Sequence, residues 1–171
     1  MSNKNLPKIK VFSISIIALS IMLILSYIES ILPISIGNIG IRIGLSNILT
    51  ILGLKILNIK TTLLINILRL AIIGILFGNL DRFLISVIGF SFSFIVMAFV
   101  MKSLNFTIIT TSIFGAVFHN LGQLSAVSIL TKSPLVFSLI PFYIIVGVIT
   151  GIMIGIITNL LYNKIQLIIF D

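Results

Sequence analysis

The sequence predicts an all-α membrane protein of about six transmembrane helices, and three observations predict it. Of the 171 residues, 59% are hydrophobic and only 8% are charged, against about 25% charged in ordinary soluble domains. Apolar runs of the length needed to cross a bilayer, about 20 residues at 1.5 Å each, follow one another along nearly the whole chain. The few charges sit singly at the ends of those runs. Mean hydropathy is +1.36, which leaves no stretch for a soluble module.

The formal net charge of +8 is scattered rather than gathered into a patch. It therefore reads as topology information and not as a nucleic-acid surface. Cysteine is absent, which excludes disulfides and thiolate metal sites. Tryptophan is absent as well, so interfacial anchoring falls to Tyr27, Tyr143, Tyr162 and the lysines.

Residues 1–10, with Lys4, Lys8, Lys10 and Pro7, form a polar lead on the cytoplasmic side. The first helix is expected from Val11 to about Ile28, long enough to cover about 27 Å. A basic start before an apolar run also fits a signal peptide. No small-residue cleavage site stands out, and more membrane follows, so the helix is taken as uncleaved. Pro33, Gly37 and Gly40 then break the pattern. The segment Ile31–Ile41 is unusually apolar for a loop and is expected to tuck into the outer membrane surface as a flap. Helix 2 is expected from about Arg42 to Leu57, helix 3 from Thr61 to Phe77, and helix 4 from Phe83 to Met101. Helix 5 follows from Thr107 to Leu130, with Thr131-Lys132-Ser133-Pro134 as its stop. Helix 6 runs from Val136 to Tyr162, bent near Pro141. One transmembrane domain thus covers residues 11–162, and residues 163–171 form a cytoplasmic tail.

Charge by side fixes the orientation. With the N-terminus inside, the inner ends hold Lys4, Lys8, Lys10, Lys55, Lys60, Lys102 and Lys164. The outer ends hold Glu29, Arg42, Asp81, Arg82 and Lys132, which nearly cancel. Lysine and arginine favour the cytoplasmic side, so both termini are expected inside.

The working surface is expected on helix 5. Ser112, Gly115, Ala116, His119, Gly122, Gln123 and Ala126 recur at i, i+3, i+4 and i+7 and share one helical face. That face is small and polar, while Ile113, Phe118, Leu121 and Ile129 lie away from it. In lipid such a helix turns its greasy side to acyl chains and its polar side to other helices or a cavity. With alternating topology, Glu29, Arg42, Asn47, His119, Asn120 and Gln123 all fall in the outer half of the membrane, and Arg69 of helix 3 can snorkel toward them. These seven are the candidate substrate-binding residues of an outward pocket under the flap. Duller readings stand beside this one. Glu29 and Arg42 can pair at the rim, His119 can bond a neighbouring carbonyl, and Asn47 and Asn66 can tie helices together. Arg69 has no acid on its own helix, so Glu29, Asp81 or an anionic ligand is expected near it.

Gly147, Gly151 and Gly155 on helix 6, and Gly74 and Gly78 on helix 3, are spaced four apart. Small residues at that spacing let two helix backbones approach closely. They are expected to pack helices within the chain, with a partner-docking face as the other reading.

Catalytic constellations are poor. The chain has three acidic residues and one histidine, too few for an Asp-rich diphosphate site or a histidine metal site. No cysteine nucleophile and no Walker A motif is present. No catalytic residue, metal or cofactor is expected.

With these residues in hand a resemblance can be stated. Residues 25–33 (Leu-Ser-Tyr-Ile-Glu-Ser-Ile-Leu-Pro), 41–48 (Ile-Arg-Ile-Gly-Leu-Ser-Asn-Ile), Leu68-Arg69, Phe77-Gly78 and 115–123 (Gly-Ala-Val-Phe-His-Asn-Leu-Gly-Gln) resemble one bacterial membrane family. It carries two names, the Gx transporter family and heptaprenyl diphosphate synthase component I, and the resemblance covers about residues 12–162. It implies a six-helix bundle like the substrate-binding S components of energy-coupling-factor importers, in the bacterial cytoplasmic membrane. Arg42 stands where the family is expected to carry lysine. Helix 1 offers Ser13, Ser15, Ala18 and Ser20 in place of the Ala-x-x-x-Ala strip with which many S components dock. The first reading is a binding subunit for a small molecule, energised by an ATPase pair and a membrane coupling protein. In it Arg42 and Arg69 hold an anionic or carbonyl-rich part, His119 and Gln123 give hydrogen-bond specificity, and helix 6 lines the apolar part. The second is a non-catalytic membrane component of a polyprenyl diphosphate synthase with a soluble catalytic partner. A third is a structural scaffold, which leaves the buried Arg and His without a role.

Overall fold

A computed structural model describes residues 7–31, 35–36, 39–40, 44–77, 80–103 and 106–170. The architecture is an all-α membrane bundle: α1 Lys8–Ile31, α2 Asn47–Ile56, α3 Ile59–Phe77, α4 Leu80–Ser103, α5 Ile108–Thr131 and α6 Ile140–Phe170. A six-residue 3-10 helix, Pro134–Leu139, leads into α6. Between α1 and α2 a two-residue antiparallel ladder pairs Ser35 with Gly40 and Ile36 with Ile39, within the segment expected to form a flap.

Among the described residues five helical spans are long and apolar enough to cross a membrane, α1, α3, α4, α5 and Pro134–Leu167, and α2 is not one of them. Helix α2 nonetheless takes the expected second place in a bundle of six helices, antiparallel to α3, and differs from expectation in its length. Helix 2 was expected to begin near Arg42, which lies outside the described residues. The helix begins at Asn47 and has ten residues, about 15 Å. The local reason is Gly44, whose φ of +80° is a left-handed conformation that an α-helix does not continue through and that L side chains rarely adopt.

The sixth helix also differs from expectation. Pro141, where a bend was expected, stands at its second residue, directly after the 3-10 turn, where the missing N–H is one the helix could not have paired anyway. Its far end continues past Tyr162 to Phe170, so the segment expected as a tail extends the helix.

Capping chemistry sets the other boundaries. Asn58 Oδ1 accepts from the Thr61 amide at 2.8 Å at the start of α3, and Thr107 Oγ1 accepts from the Thr110 amide at 3.2 Å at the start of α5. Helix α5 ends at Lys132, whose φ of 52° lets its amide and that of Ser133 return to the last turn, as helix ends commonly do.

The helix α5 is the hub, packing most extensively against α4 and α6. All seven residues of its small polar face are buried, whereas Ile129 is 69% exposed. The interface with α6 is a backbone-to-backbone contact. A Cβ placed on Gly147, Gly151 or Gly155 would lie 2.9, 2.6 or 2.8 Å from the Cα of Val117, Ile113 or Ile109 respectively. Each step of four along α6 is matched by a step of four back along α5, as two antiparallel helices in close contact require. A Cβ on Gly74 would instead meet the Phe83 ring of α4 at 2.5 Å, and Gly78 lies outside the described residues.

Apolar clusters fill the rest. Ile48, Leu52 and Ile56 of α2 pack on Ile154 of α6, and Leu70 of α3 packs on Phe90 and Phe94 of α4. Helix α1 is peripheral: among the described residues it touches α3 and α2, and Met22 is its buried residue. Its remaining apolar surface, Phe12 and Ile24 among it, is open and suits acyl chains rather than water.

Candidate functional site

The short α2 creates the site. It runs antiparallel to α3 along a seam of small and polar side chains, with Gly53 against Thr62. One turn further Thr50 Oγ1 donates to Asn66 Oδ1 at 3.1 Å, and beyond that Arg69 donates to the Ser46 hydroxyl. Asn66 and Thr62 also bond within α3: the Asn66 amide donates to Thr62 O at 2.9 Å. Thr50, Thr62 and Asn66 are fully buried, so these pairs satisfy polar groups that lipid could not. The seam ends at Ser46, but α3 runs on for eight residues past Arg69 to Phe77, about 12 Å.

Beside the seam lies a small cleft of about 50 Å³. Helix α1 contributes Ser26, Glu29 and Ser30, and the approach to α2 contributes Gly44 and Ser46. Arg69, Leu70 and Ile73 come from α3, Ser86 from α4 and His119 from α5. The wall is hydroxyl-rich, with one carboxylate, one guanidinium and one imidazole.

Two charged side chains, one from α1 and one from α3, meet the segment that leads into α2. The Glu29 carboxylate accepts from the Gly44 amide, while the Arg69 guanidinium donates to Ser46, two residues on. Arg69 is only 7% exposed, and its guanidinium carbon lies 5.8 Å from the centre of the Phe90 ring, within cation–π range. A charge at this depth is costly in lipid, so hydroxyl, aromatic face and cleft together form its environment.

His119 is gripped from both sides while it faces the cleft. Its Nε2 lies 3.1 Å from Gln123 Nε2, one turn along α5. On the other side, a Cβ on Gly89 of α4 would come within 3.3 Å of the imidazole Cε1 and 2.8 Å of Gln123 Cγ. Only glycine at 89 leaves room for this arrangement.

Of the seven expected site residues, the structure brings Glu29, Arg69 and His119 to one wall. Asn47 is buried at the start of α2 beside Gly44 but does not line the cleft. Asn120 faces the other way, its amide donating to the Tyr143 carbonyl of α6 at 3.1 Å. Gln123 stands behind His119. Arg42, and with it the expected Glu29–Arg42 pair, lies outside the described residues. The apolar wall is Leu70 and Ile73 of α3, not helix 6, because α6 is held on the far side of α5 by its glycines.

Sequence reasoning passed over Ser26, Ser30, Gly44, Ser46 and Gly89. The signal at Ser26, Glu29 and Ser30 was readable, since i, i+3 and i+4 share a helix face. Gly89 had a signal too, since Ser86 and Ser93 stand three before and four after it on the same helix face. Among the described residues no group of three or more His, Cys, Asp or Glu could hold a metal ion.

A family model described as heptaprenyl diphosphate synthase component I matches residues 14–161. The chain belongs to that family. The matched span includes every described cleft residue and the whole α4–α5 contact. No curated protein and no solved structure matches the chain, so component I membership stands alone beside the geometry.

Proposed function

We propose that this component I family protein is a membrane-embedded binding subunit that captures a small molecule in the cleft above α2 and has no chemistry of its own. The observation that carries the reading is the placement of a buried arginine, a carboxylate and a histidine on one hydroxyl-rich wall where α2 stops short. Such convergent polar groups in a concave site are the usual marks of a ligand pocket. In this reading Arg69 holds an anionic or carbonyl-rich part of the ligand and His119, steadied by Gln123, adds a directional hydrogen bond. The protein is then an S-component-like subunit of an energy-coupling-factor-type importer, working in the bacterial cytoplasmic membrane with both termini inside. It needs an ATPase pair and a membrane coupling protein to move its cargo.

The family's description favours a second reading, a non-catalytic membrane component of a heptaprenyl diphosphate synthase. Prenyl transfer needs carboxylates to hold magnesium and diphosphate. The whole chain offers only Glu29, Asp81 and Asp171, so a soluble partner would supply them.

Affinity purification from the native host in mild detergent, with mass spectrometry of co-purifying proteins and small molecules, separates the two. Recovery of two ATPases and a membrane coupling protein is the outcome expected. Recovery of a soluble, Asp-rich prenyl synthase would overturn it in favour of the second reading.

A further inference from the structure

We infer that the cleft is an oxyanion site, that the protein's own Glu29 carboxylate occupies it at rest, and that a ligand carboxylate or phosphate displaces Glu29. The inference deepens the binding-subunit reading and rests on it for the existence of a ligand.

Glu29 is held at a place built for an anion. Its carboxylate takes the amide of Gly44, in the turn that leads into α2, a backbone donor that an oxyanion can equally well use. Gly44 can present that amide because its φ is +80°, a conformation open to glycine. The Arg69 guanidinium reaches the same short segment from α3, at Ser46, and planar forks of this kind bind carboxylate and phosphate through two oxygens. Ser26 adds a second observation from α1. Its hydroxyl lines the cleft, is shut off from solvent, and has no hydrogen-bond partner among the described residues. It is a donor available to an oxyanion that enters beside Glu29.

The carboxylate is the displaceable member. Glu29 stands two residues before the end of α1, and α1 is the least buried of the membrane-length helices. Arg69 by contrast is fixed between the Ser46 hydroxyl and the Phe90 face. An incoming oxyanion therefore keeps Arg69, Ser46 and the Gly44 amide as partners and turns Glu29 out. Glu29 then acts as an internal competitor that sets the affinity of the site.

The test uses the full chain purified in a phosphate-free maltoside detergent. Thermal unfolding is followed during titration with acetate, inorganic phosphate and short-chain phosphatidylglycerol, with choline chloride as the ionic-strength control. At least one oxyanion is expected to stabilise the protein beyond the chloride control. In Glu29→Gln the amide oxygen still accepts from Gly44 but the competing charge is gone. Affinity for that oxyanion is expected to rise roughly tenfold, the scale of one like-charge repulsion at partial burial. Ser26→Ala should weaken binding without lowering the unliganded melting temperature, and Arg69→Gln should abolish it. Because Arg69→Gln could fail to fold, the Glu29→Gln gain carries the decision. Stabilisation by phosphatidylglycerol alone would assign the site to a lipid headgroup, and stabilisation by acetate or phosphate to a soluble ligand; both support the inference. No stabilisation of either wild type or Glu29→Gln, or equal affinity in the two, overturns it. Should a neutral compound co-purify with the coupling proteins, the inference falls while the binding-subunit reading stands.

Discussion

Gly151 of α6 lies on the backbone of Ile113 in α5, so close that a Cβ at 151 would stand 2.6 Å from the Ile113 Cα and 3.1 Å from the Ser112 carbonyl oxygen. Neither atom can turn aside as a side chain can. Gly74 differs, because its Cβ would meet the ring of Phe83, which is only half-buried and can swing. Gly151→Ala is therefore expected to destabilise the bundle by about 1–3 kcal/mol, the usual range for overpacking. Gly74→Ala should cost clearly less. Thermal unfolding of both variants in detergent checks the order, and the reverse order would mean that the α5–α6 contact is not the rigid one.

Asn120 and His119 are adjacent in sequence and do different work. Asn120 ties α5 to α6 through the Tyr143 carbonyl, while His119 faces the cleft. Asn120→Ala is expected to lower stability by roughly 0.6–1.7 kcal/mol, the measured span for interhelical hydrogen bonds in membranes, and to leave ligand affinity within about twofold. His119→Ala is expected to weaken ligand binding by tenfold or more, about 1.4 kcal/mol, with protein still reaching the membrane. Binding of the co-purified ligand to each variant, beside its melting temperature, decides between these roles.

Gly89 connects helix packing to the site. A methyl group there would collide with Gln123 Cγ and crowd the His119 ring and carbonyl. Gly89→Ala should therefore reduce ligand affinity as well as stability, although residue 89 does not line the cleft. A variant with lower stability and unchanged affinity would show that the His119 ring has freedom to move.

The α2–α3 seam is expected to be cooperative. Thr50 reaches Asn66 at 3.1 Å and the Ser46 carbonyl at 3.3 Å, so it retains an acceptor when Asn66 is lost. Asn66→Ala should cost about 1 kcal/mol, and Thr50→Val added to it should cost less than the sum of the two single changes. A double-mutant cycle on thermal stability measures the coupling, and strict additivity would place the two side chains in separate environments.

Orientation can be read by labelling, because the chain contains no cysteine. Ser133→Cys is expected to react with a membrane-impermeant maleimide from outside intact cells. Asn163→Cys should react only after permeabilisation. The opposite pattern would invert the expected topology and move the cleft to the cytoplasmic side.

What the sequence determined by itself was the solvent of each segment. Hydropathy reports how a stretch partitions between lipid and water, which is a local property. The membrane bundle, the approximate bounds of α3, α4 and α5, and the inward polar face of α5 all follow from it. The glycine period on α6 is local too, and its four-residue step appears unchanged in the contacts with Ile109, Ile113 and Val117. Tertiary structure decided the site. The run from Ile41 to Leu57 is mostly apolar, with Arg42, Asn47 and Lys55 set singly along it, and hydropathy does not distinguish extended chain from helix within it. The φ of Gly44 and the antiparallel seam with α3 fix where α2 begins, and that start makes the cleft. Neighbouring polar residues on one helix point about 100° apart, so whether His119 or Asn120 meets the cleft depends on which helix lies opposite. Only the close contacts of Gly89 with Gln123 and of Gly147 with Val117 settle that, placing α4 behind His119 and α6 beside Asn120.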